Sequence, residues 1–317
     1  MKKTEFDFSI IIPTYNRREQ LMSCLASLTR LNYPSKRFEV IVVDDGGDTP
    51  LDKDMIQFKG QVYLTLVTRP NGGPARARNM GVNSAKGRFL AFIDDDCCPD
   101  ADWLAAVSVR LSKTPQHIIG GLTVNALPNN IFSSASQRIV DSVYANYNTD
   151  PKQARFFATN NMVICARLFQ KVGGFDEGFV LLACEDREFC DRWLHYGYHM
   201  TYAPEAIVYH AHNLTLRKYC LQHFTYGRGA FHYHKLRARR KSGRLYQEIK
   251  FHLNFKNWLL QPLREKYGWQ MLSMAFLLML WQVFNALGFF YEIFALSGYR
   301  GDQDDGACYR VAKFEKR

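Results

Sequence analysis

No glycine stands in the loop after the first apolar run, which reads Pro13-Thr14-Tyr15-Asn16-Arg17. A dinucleotide fold needs a glycine-rich turn there to bring the backbone up to a pyrophosphate, so that class is excluded. A Walker phosphate loop is absent, as is the glycine-rich loop with Arg and Lys of a sugar-nucleotide pyrophosphorylase. The eight cysteines form no CxxC pair and Cys97-Cys98 are neighbours, which excludes a zinc ribbon and a disulfide scaffold and predicts reduced thiols. The opening residues, MKKTEFDF, carry no apolar signal core, so secretion is not expected. Repeats and low-complexity tracts are missing too. Acids are nearly missing from 213–250, where ten Lys or Arg face only Glu248, a surplus of nine in a chain of net charge +11. From Tyr267 to Tyr291 there is no charge at all.

What is present is core material, with 47% hydrophobic residues over 317 positions. Apolar runs at Phe8–Ile12, Phe38–Val43, Val62–Val67 and Phe89–Ile93 predict buried strands, and Arg18–Arg30 and Ala75–Ser84 have helical spacing. Turn residues close each strand. This alternation predicts an α/β chain with a mostly parallel, doubly wound sheet flanked by helices. Ile118–Val124, Phe156–Ile164 and Ala206–His212 read as further strands, and Phe189–His195 as part of a helix. All-helical scaffolds built around an aspartate motif are thereby excluded.

The strand Phe89–Ile93 empties into Asp94, Asp95 and Asp96. Three adjacent carboxylates repel one another unless a cation sits among them, and a hard divalent ion with oxygen ligands is the usual solution. If the strand continues, Asp94 and Asp96 point the same way. Such groups at the carboxyl end of a parallel strand lie where α/β sheets bind ligands. A solvated helix-capping turn is the bland alternative.

Six segments, in this order, resemble family 2 glycosyltransferases on the GT-A nucleotide-sugar-binding fold. They are SIIIPTYNR (Ser9–Arg17), VIVVDDGGD (Val40–Asp48), NGGPARARNMG (Asn71–Gly81), FIDDD (Phe92–Asp96), VGGFDEGF (Val172–Phe179) and CEDREFCDRW (Cys184–Trp193). The resemblance covers about the first 215 residues and implies roles position by position. Pro13, Thr14 and Tyr15 resemble the wall beside the nucleotide base, and Asp45 the carboxylate that takes a hydrogen bond from it. Arg78 is similar to a nucleotide or phosphate contact, and Asp94 to the ribose-binding aspartate. Asp96 resembles the metal ligand, with Mg²⁺ or Mn²⁺ implied as cofactor. Asp186 matches the general base of an inverting transfer, and Glu185 a residue of the acceptor site. A late histidine often completes the metal site in such proteins; His210 and His212, two apart at a strand end, are both candidates, His210 fitting slightly better. Asp95 receives no role.

The resemblance therefore implies an inverting, metal-dependent transferase acting from a nucleotide-sugar donor on a glycan or lipid-linked acceptor. The competing expectation is a non-catalytic sugar-nucleotide-binding subunit or scaffold of a polysaccharide-assembly complex. Residues 1–214 are expected to form the catalytic domain and 215–317 a helical C-terminal extension, basic and then apolar. Phe224–Gly229 is similar to family members with a membrane-associated helical tail. Polybasic residues beside an apolar run favour an anionic membrane surface. Gln282, Asn285 and Glu292 make a polar stripe on that run, which suits an interfacial, re-entrant or protein-packed helix better than a lone span. The cytoplasmic membrane face is thus the expected location, with soluble cytoplasm as the alternative. No nucleic-acid-binding motif accompanies the basic stretch.

Overall fold

The computed structural model describes residues 6–179, 183–243, 245–260 and 268–297. Residues 1–5, Arg244 of the basic stretch, Tyr267 at the head of the uncharged run and the last residues of the tail lie outside the described residues.

Eight strands form one sheet: β1 (Phe6–Thr14), β2 (Phe38–Asp44), β3 (Tyr63–Thr68), β4 (Gly87–Phe92), β5 (Cys97–Pro99), β6 (Ile118–Asn125), β7 (Met162–Cys165) and β8 (Met200–His210). The helices are α1 (Arg18–Leu28), α2 (Asp52–Met55), α3 (Pro74–Ser84), α4 (Trp103–Lys113), α5 (Ile131–Tyr147), α6 (Ala166–Val172), α7 (Glu185–His195), α8 (Leu216–Arg240), α9 (Leu245–Leu253) and α10 (Gly268–Ser297). Strand order is β3-β2-β1-β4-β7-β6-β8-β5. The first four of these are parallel, while β7 runs against both neighbours and β5 runs against β8. This is the α/β sheet with flanking helices expected from the sequence.

Two apolar clusters cover the two faces. Ile10, Ile12, Val40 and Val42 pack with Leu21, Leu25 and Trp103 on one side, and Ile11, Leu90 and Phe92 pack with Phe169, Phe189 and Trp193 on the other. Every residue of β2 is buried, as a strand covered on both faces requires. Strand β3 differs from its expected burial. It forms the sheet edge, so Tyr63, Thr65 and Thr68 are exposed.

Three other expectations need correction. The run Phe156–Ile164 contributes only its last three residues to the sheet, within β7 (Met162–Cys165), because Thr159–Asn161 make a 3₁₀ turn in front of it. The Asn161 amide donates to the Leu122 and Ala206 carbonyls at 3.0 and 2.9 Å, which stitches that turn between β6 and β8. Strand β4 stops at Phe92, so the three aspartates occupy a turn and not an alternating strand. Strand β8 ends at His210, leaving His212 beyond it.

The tail is built onto the rest of the chain. Leu214, Tyr219, Trp258, Leu278 and Trp281 share one apolar cluster with Ala135 and Ile139 of α5. Helix α8 lies between α7 and α10. On one side Gly229 meets the Ala183 carbonyl, and on the other Gly227 meets the Asn285 carbonyl; a Cβ at either position would overlap that oxygen. Glycine is what lets the backbones touch. The C-terminal half of α8 clamps α7: Arg240 pairs with Glu188 and Asp191, and Arg237 pairs with Asp191 at 3.1 Å.

Candidate active site

The carboxyl ends of β1, β2 and β4 meet at one edge of the sheet, and the loops leaving them carry most of the polar residues singled out above. Because β4 breaks after Phe92, the three aspartates fan out in three directions. Asp94 accepts from Arg78 Nη2 at 2.7 Å. Asp95 turns back to β1, accepting from Thr14 Oγ1 at 2.7 Å and Arg17 Nη1 at 3.2 Å. Asp96 accepts from Arg17 Nη1 at 2.9 Å and lies 3.2 Å from His210 Nε2. Asp95 thus has a structural place after all, pinning the β1–α1 loop to the acidic turn. Burial pushes its carboxyl up to about 6 in spite of Arg17 and Thr14.

Burial acts the same way on Asp96, but the hydrogen bond and charge of His210, with Arg17, prevail and hold its carboxyl far below the usual range. Asp96, Cys97 and His210 are a group whose ligand atoms all lie within 4.8 Å. Burial keeps the Cys97 thiol protonated, so the available donors are a carboxylate oxygen and an imidazole nitrogen. That pair fits a divalent cation. His212 stacks on His210 at 4.9 Å between ring centroids and is held neutral, pushed down to about 4 by burial and by His210. It stands outside the group.

Arg17 was not singled out from the sequence, although it closes the SIIIPTYNR segment. A cation facing two of three aspartates is the missing counter-charge that their repulsion called for. The charges alone, however, could not say which arginine supplied it.

Asp45 is buried, and its carboxylate accepts from the Gly73 amide at 2.7 Å, the Gly72 amide at 3.1 Å and the Arg69 guanidinium. It orders the loop Arg69–Gly73. The neighbouring cleft, about 230 Å³, is lined by Thr14, Asn16, Arg17, Asp44, Gly47 and Asp48 among others. Tyr15 is exposed, and Pro13 half-buried at the end of β1.

Arg78, on α3, is only 4% exposed. Besides Asp94 it donates through Nη1 to Glu185 Oε1 at 2.8 Å. One guanidinium therefore ties the acidic turn to the start of α7, and a planar fork can hold two carboxylates in this way where an ammonium cannot. Glu185 is buried and Asp186 half-buried. Asp186 accepts from the Arg187 amide at 2.7 Å. Its carboxyl is pushed up to about 7, first by burial and next by the like charge of Glu185. Cys184, directly before the pair, holds φ at 87°, a conformation that is strained for any side chain.

Residues 9–173, just over half of the chain, match the profile described as Glycosyl transferase family 2. The chain belongs to that family. Residues 139–214 also match a profile described as the N-terminal domain of galactosyltransferase. Among curated relatives, the glycosyltransferase AglE of Haloferax volcanii is 28% identical over 204 residues, 64% of this chain and 66% of the relative. The hyaluronan synthase of Pasteurella multocida is 28% identical over 237 residues, 64% of this chain but 24% of the synthase. This chain spans two thirds of the first and a quarter of the second. Among solved structures, the mannosyltransferase PcManGT from Pyrobaculum calidifontis, in complex with GDP-Man and Mn²⁺, superposes with a TM-score of 0.60 at 19% identity, covering 93% of this chain and 81% of that one. S. aureus TarS 1-349 in complex with UDP-GlcNAc gives 0.52 at 17% identity, covering 95% of each. These likenesses show the GT-A fold.

Proposed function

We propose that the protein is an inverting, metal-dependent glycosyltransferase. It moves a sugar from a nucleoside-diphosphate donor to a hydroxyl of a glycan or lipid-linked acceptor at the cytoplasmic face of a membrane. The observation that carries this reading is the Arg78 bridge, 2.7 Å to Asp94 on the acidic turn and 2.8 Å to Glu185 beside Asp186. Donor side and base side are thereby held in one frame, which is what in-line displacement demands. The PcManGT structure holds GDP-Man and Mn²⁺ and the TarS structure UDP-GlcNAc, which supports a sugar nucleotide and a divalent ion here.

Asp96 and His210 would hold the cation. An imidazole donor suits Mn²⁺ better than Mg²⁺, which prefers oxygen throughout. When bound, the ion neutralises charge on the departing diphosphate. The protein's own groups do the rest. The nucleotide base would take the cleft beside Thr14 and Asp44, next to Pro13 and Tyr15 in the chain and near the loop that Asp45 orders, and Asp94 the ribose. Asp186, with a pKa of about 7, removes the acceptor hydroxyl's proton at neutral pH, where a base is most effective. Glu185, fixed by Arg78, shapes the acceptor side. Residues 1–214 perform the chemistry, and 215–317 bring the protein to its acceptor.

The test is turnover of a nucleotide-sugar panel with Mn²⁺ and with chelator, beside calorimetric donor binding. Metal-stimulated release of nucleoside diphosphate is expected. Donor binding with no turnover on any acceptor would instead identify a scaffold subunit.

A further inference from the structure

A surface helix in water turns its apolar stripe inward and its polar stripe outward. Helix α10 departs from this: Met274, Leu278 and Trp281 pack inward as expected, but its outward side is apolar too and its acid points in. Glu292 is buried, accepting from Arg228 Nε at 2.7 Å and pairing with His232 Nε2 at 2.8 Å, both on α8. Gln282 Oε1 lies 2.9 Å from His252 Nδ1 on α9. The outward side carries Leu272, Phe276, Met279, Val283, Leu287 and Phe290, each 45–60% exposed. At 3.6 residues per turn these fall within an arc of about 80° and extend about 27 Å along the axis. Trp269, 84% exposed, stands on the same arc at its start.

We infer that this stripe is a lipid contact and that α10 lies in the plane of an anionic membrane leaflet without crossing it. The inference rests on the membrane-face reading above and deepens it. By length and composition the segment Gly268–Ala295 is apolar enough to span. Its neighbour forbids that orientation. Helix α8 runs alongside it, from the Tyr219 hydroxyl on the Leu277 carbonyl at 2.9 Å to the His232–Glu292 pair. Crossing would draw Lys218 and Lys235, both exposed, toward the hydrocarbon, where isolated cations are strongly disfavoured. In the plane they stay at the headgroups. The same holds for Arg239, Lys241, Lys250 and Lys256, which are exposed on and after α8. Exposed apolar residues interleave with two of them, Leu253 and Phe255 lying between Lys250 and Lys256. An apolar stripe accompanied by exposed cations matches phospholipid, with acyl chains under phosphates. A second copy of the chain would answer the stripe and leave the cations without counterparts.

The experiment is flotation of the full chain with preformed phosphatidylcholine vesicles, with and without phosphatidylglycerol. Detergent-free binding to the anionic vesicles and release by alkaline carbonate are expected. The triple variant Phe276→Glu, Val283→Glu, Phe290→Glu should lower the bound fraction about tenfold or more while donor turnover on a soluble acceptor is unchanged. On the unaltered protein, lipids brominated near the headgroup should quench exposed tryptophan more than lipids brominated near the bilayer centre. Three results overturn the inference: flotation of the triple variant like the parent, carbonate-resistant insertion with deep quenching, or loss of a dimer in the variant with flotation intact. Vesicle binding without any turnover would leave docking standing and defeat the transferase reading, and turnover without vesicle binding would do the opposite.

Discussion

Strand β2 and helix α10 are both apolar runs, yet they end in opposite surroundings. All seven residues of β2 are buried, while α10 exposes one whole apolar side and buries Glu292. The difference lies in the backbone. A strand must find hydrogen-bond partners on both edges, so β2 is drawn between β1 and β3 and its side chains follow. A helix satisfies its own backbone, which frees its side chains to be sorted by whatever lies outside. Apolar composition therefore states that a segment leaves water, and the kind of hydrogen bonding decides whether the protein or something else receives it.

Substitutions at the sheet edge and in the tail should separate along the same line. The largest loss is expected from Asp186→Asn, on the order of 10²–10⁴-fold in kcat, with donor affinity unchanged in a calorimetric titration. An equal loss of donor affinity would move Asp186 to the donor side. Asp96→Asn should cost at least about 100-fold and remove the response to Mn²⁺, read as turnover against metal concentration. Wild-type metal response in that variant would defeat the assignment of Asp96. Arg78→Ala strands Asp94 and buried Glu185 and should destabilise by about 3–5 kcal/mol in urea unfolding. Arg240→Ala, at the seam between the tail and α7, should cost less, about 1–3 kcal/mol, because Arg192 still serves Glu188. If Arg240→Ala cut kcat as deeply as Asp186→Asn, the contrast between edge and tail would fail.

The pH dependence sharpens the same contrast. With Asp186 near 7 and the base form required, log kcat should fall with unit slope as pH drops below about 7, and Asp186→Asn should flatten it. Stability runs the other way. A carboxyl raised in the fold binds its proton more tightly than in the unfolded chain, so its contribution is full below about 4 and is lost as pH rises to about 7. Asp186→Asn should therefore melt higher than the parent at pH 8 and not at pH 4.

Much of this was legible in the residues. β1, β2 and β4 and the helices between them follow apolar periodicity, and Asp96 and His210, paired only through the family resemblance, do lie together. What periodicity could not supply was the break after Phe92. It rests on contacts from Arg78 on α3 and from Thr14 and Arg17, the latter two far off in sequence, which draw the three aspartates in different directions. The shortening of β7 has the same origin, since Asn161 spends its side chain on two other strands. The charge of the basic stretch was visible but its destination was not. Arg228, Arg237 and Arg240 are consumed by Glu292, Asp191 and Glu188 inside the fold, so fewer cations face outward than the count suggests.

Two glycines on α8 set a ruler. Gly229 touches the turn just before Glu185 and Asp186, and Gly227, two residues away, touches α10 at Asn285. The turn before Glu185 and Asp186, helix α8 and helix α10 are thus stacked at a single place, and helices in contact lie 8–10 Å apart axis to axis. With Asp186 as the proposed base and α10 as the proposed docked helix, the reacting hydroxyl would stand no more than about 20 Å from that helix. A sugar held close to its lipid anchor is within that reach. An acceptor growing at the tip of a long soluble chain would be carried past it, so the protein should favour early additions to a short stem over late ones.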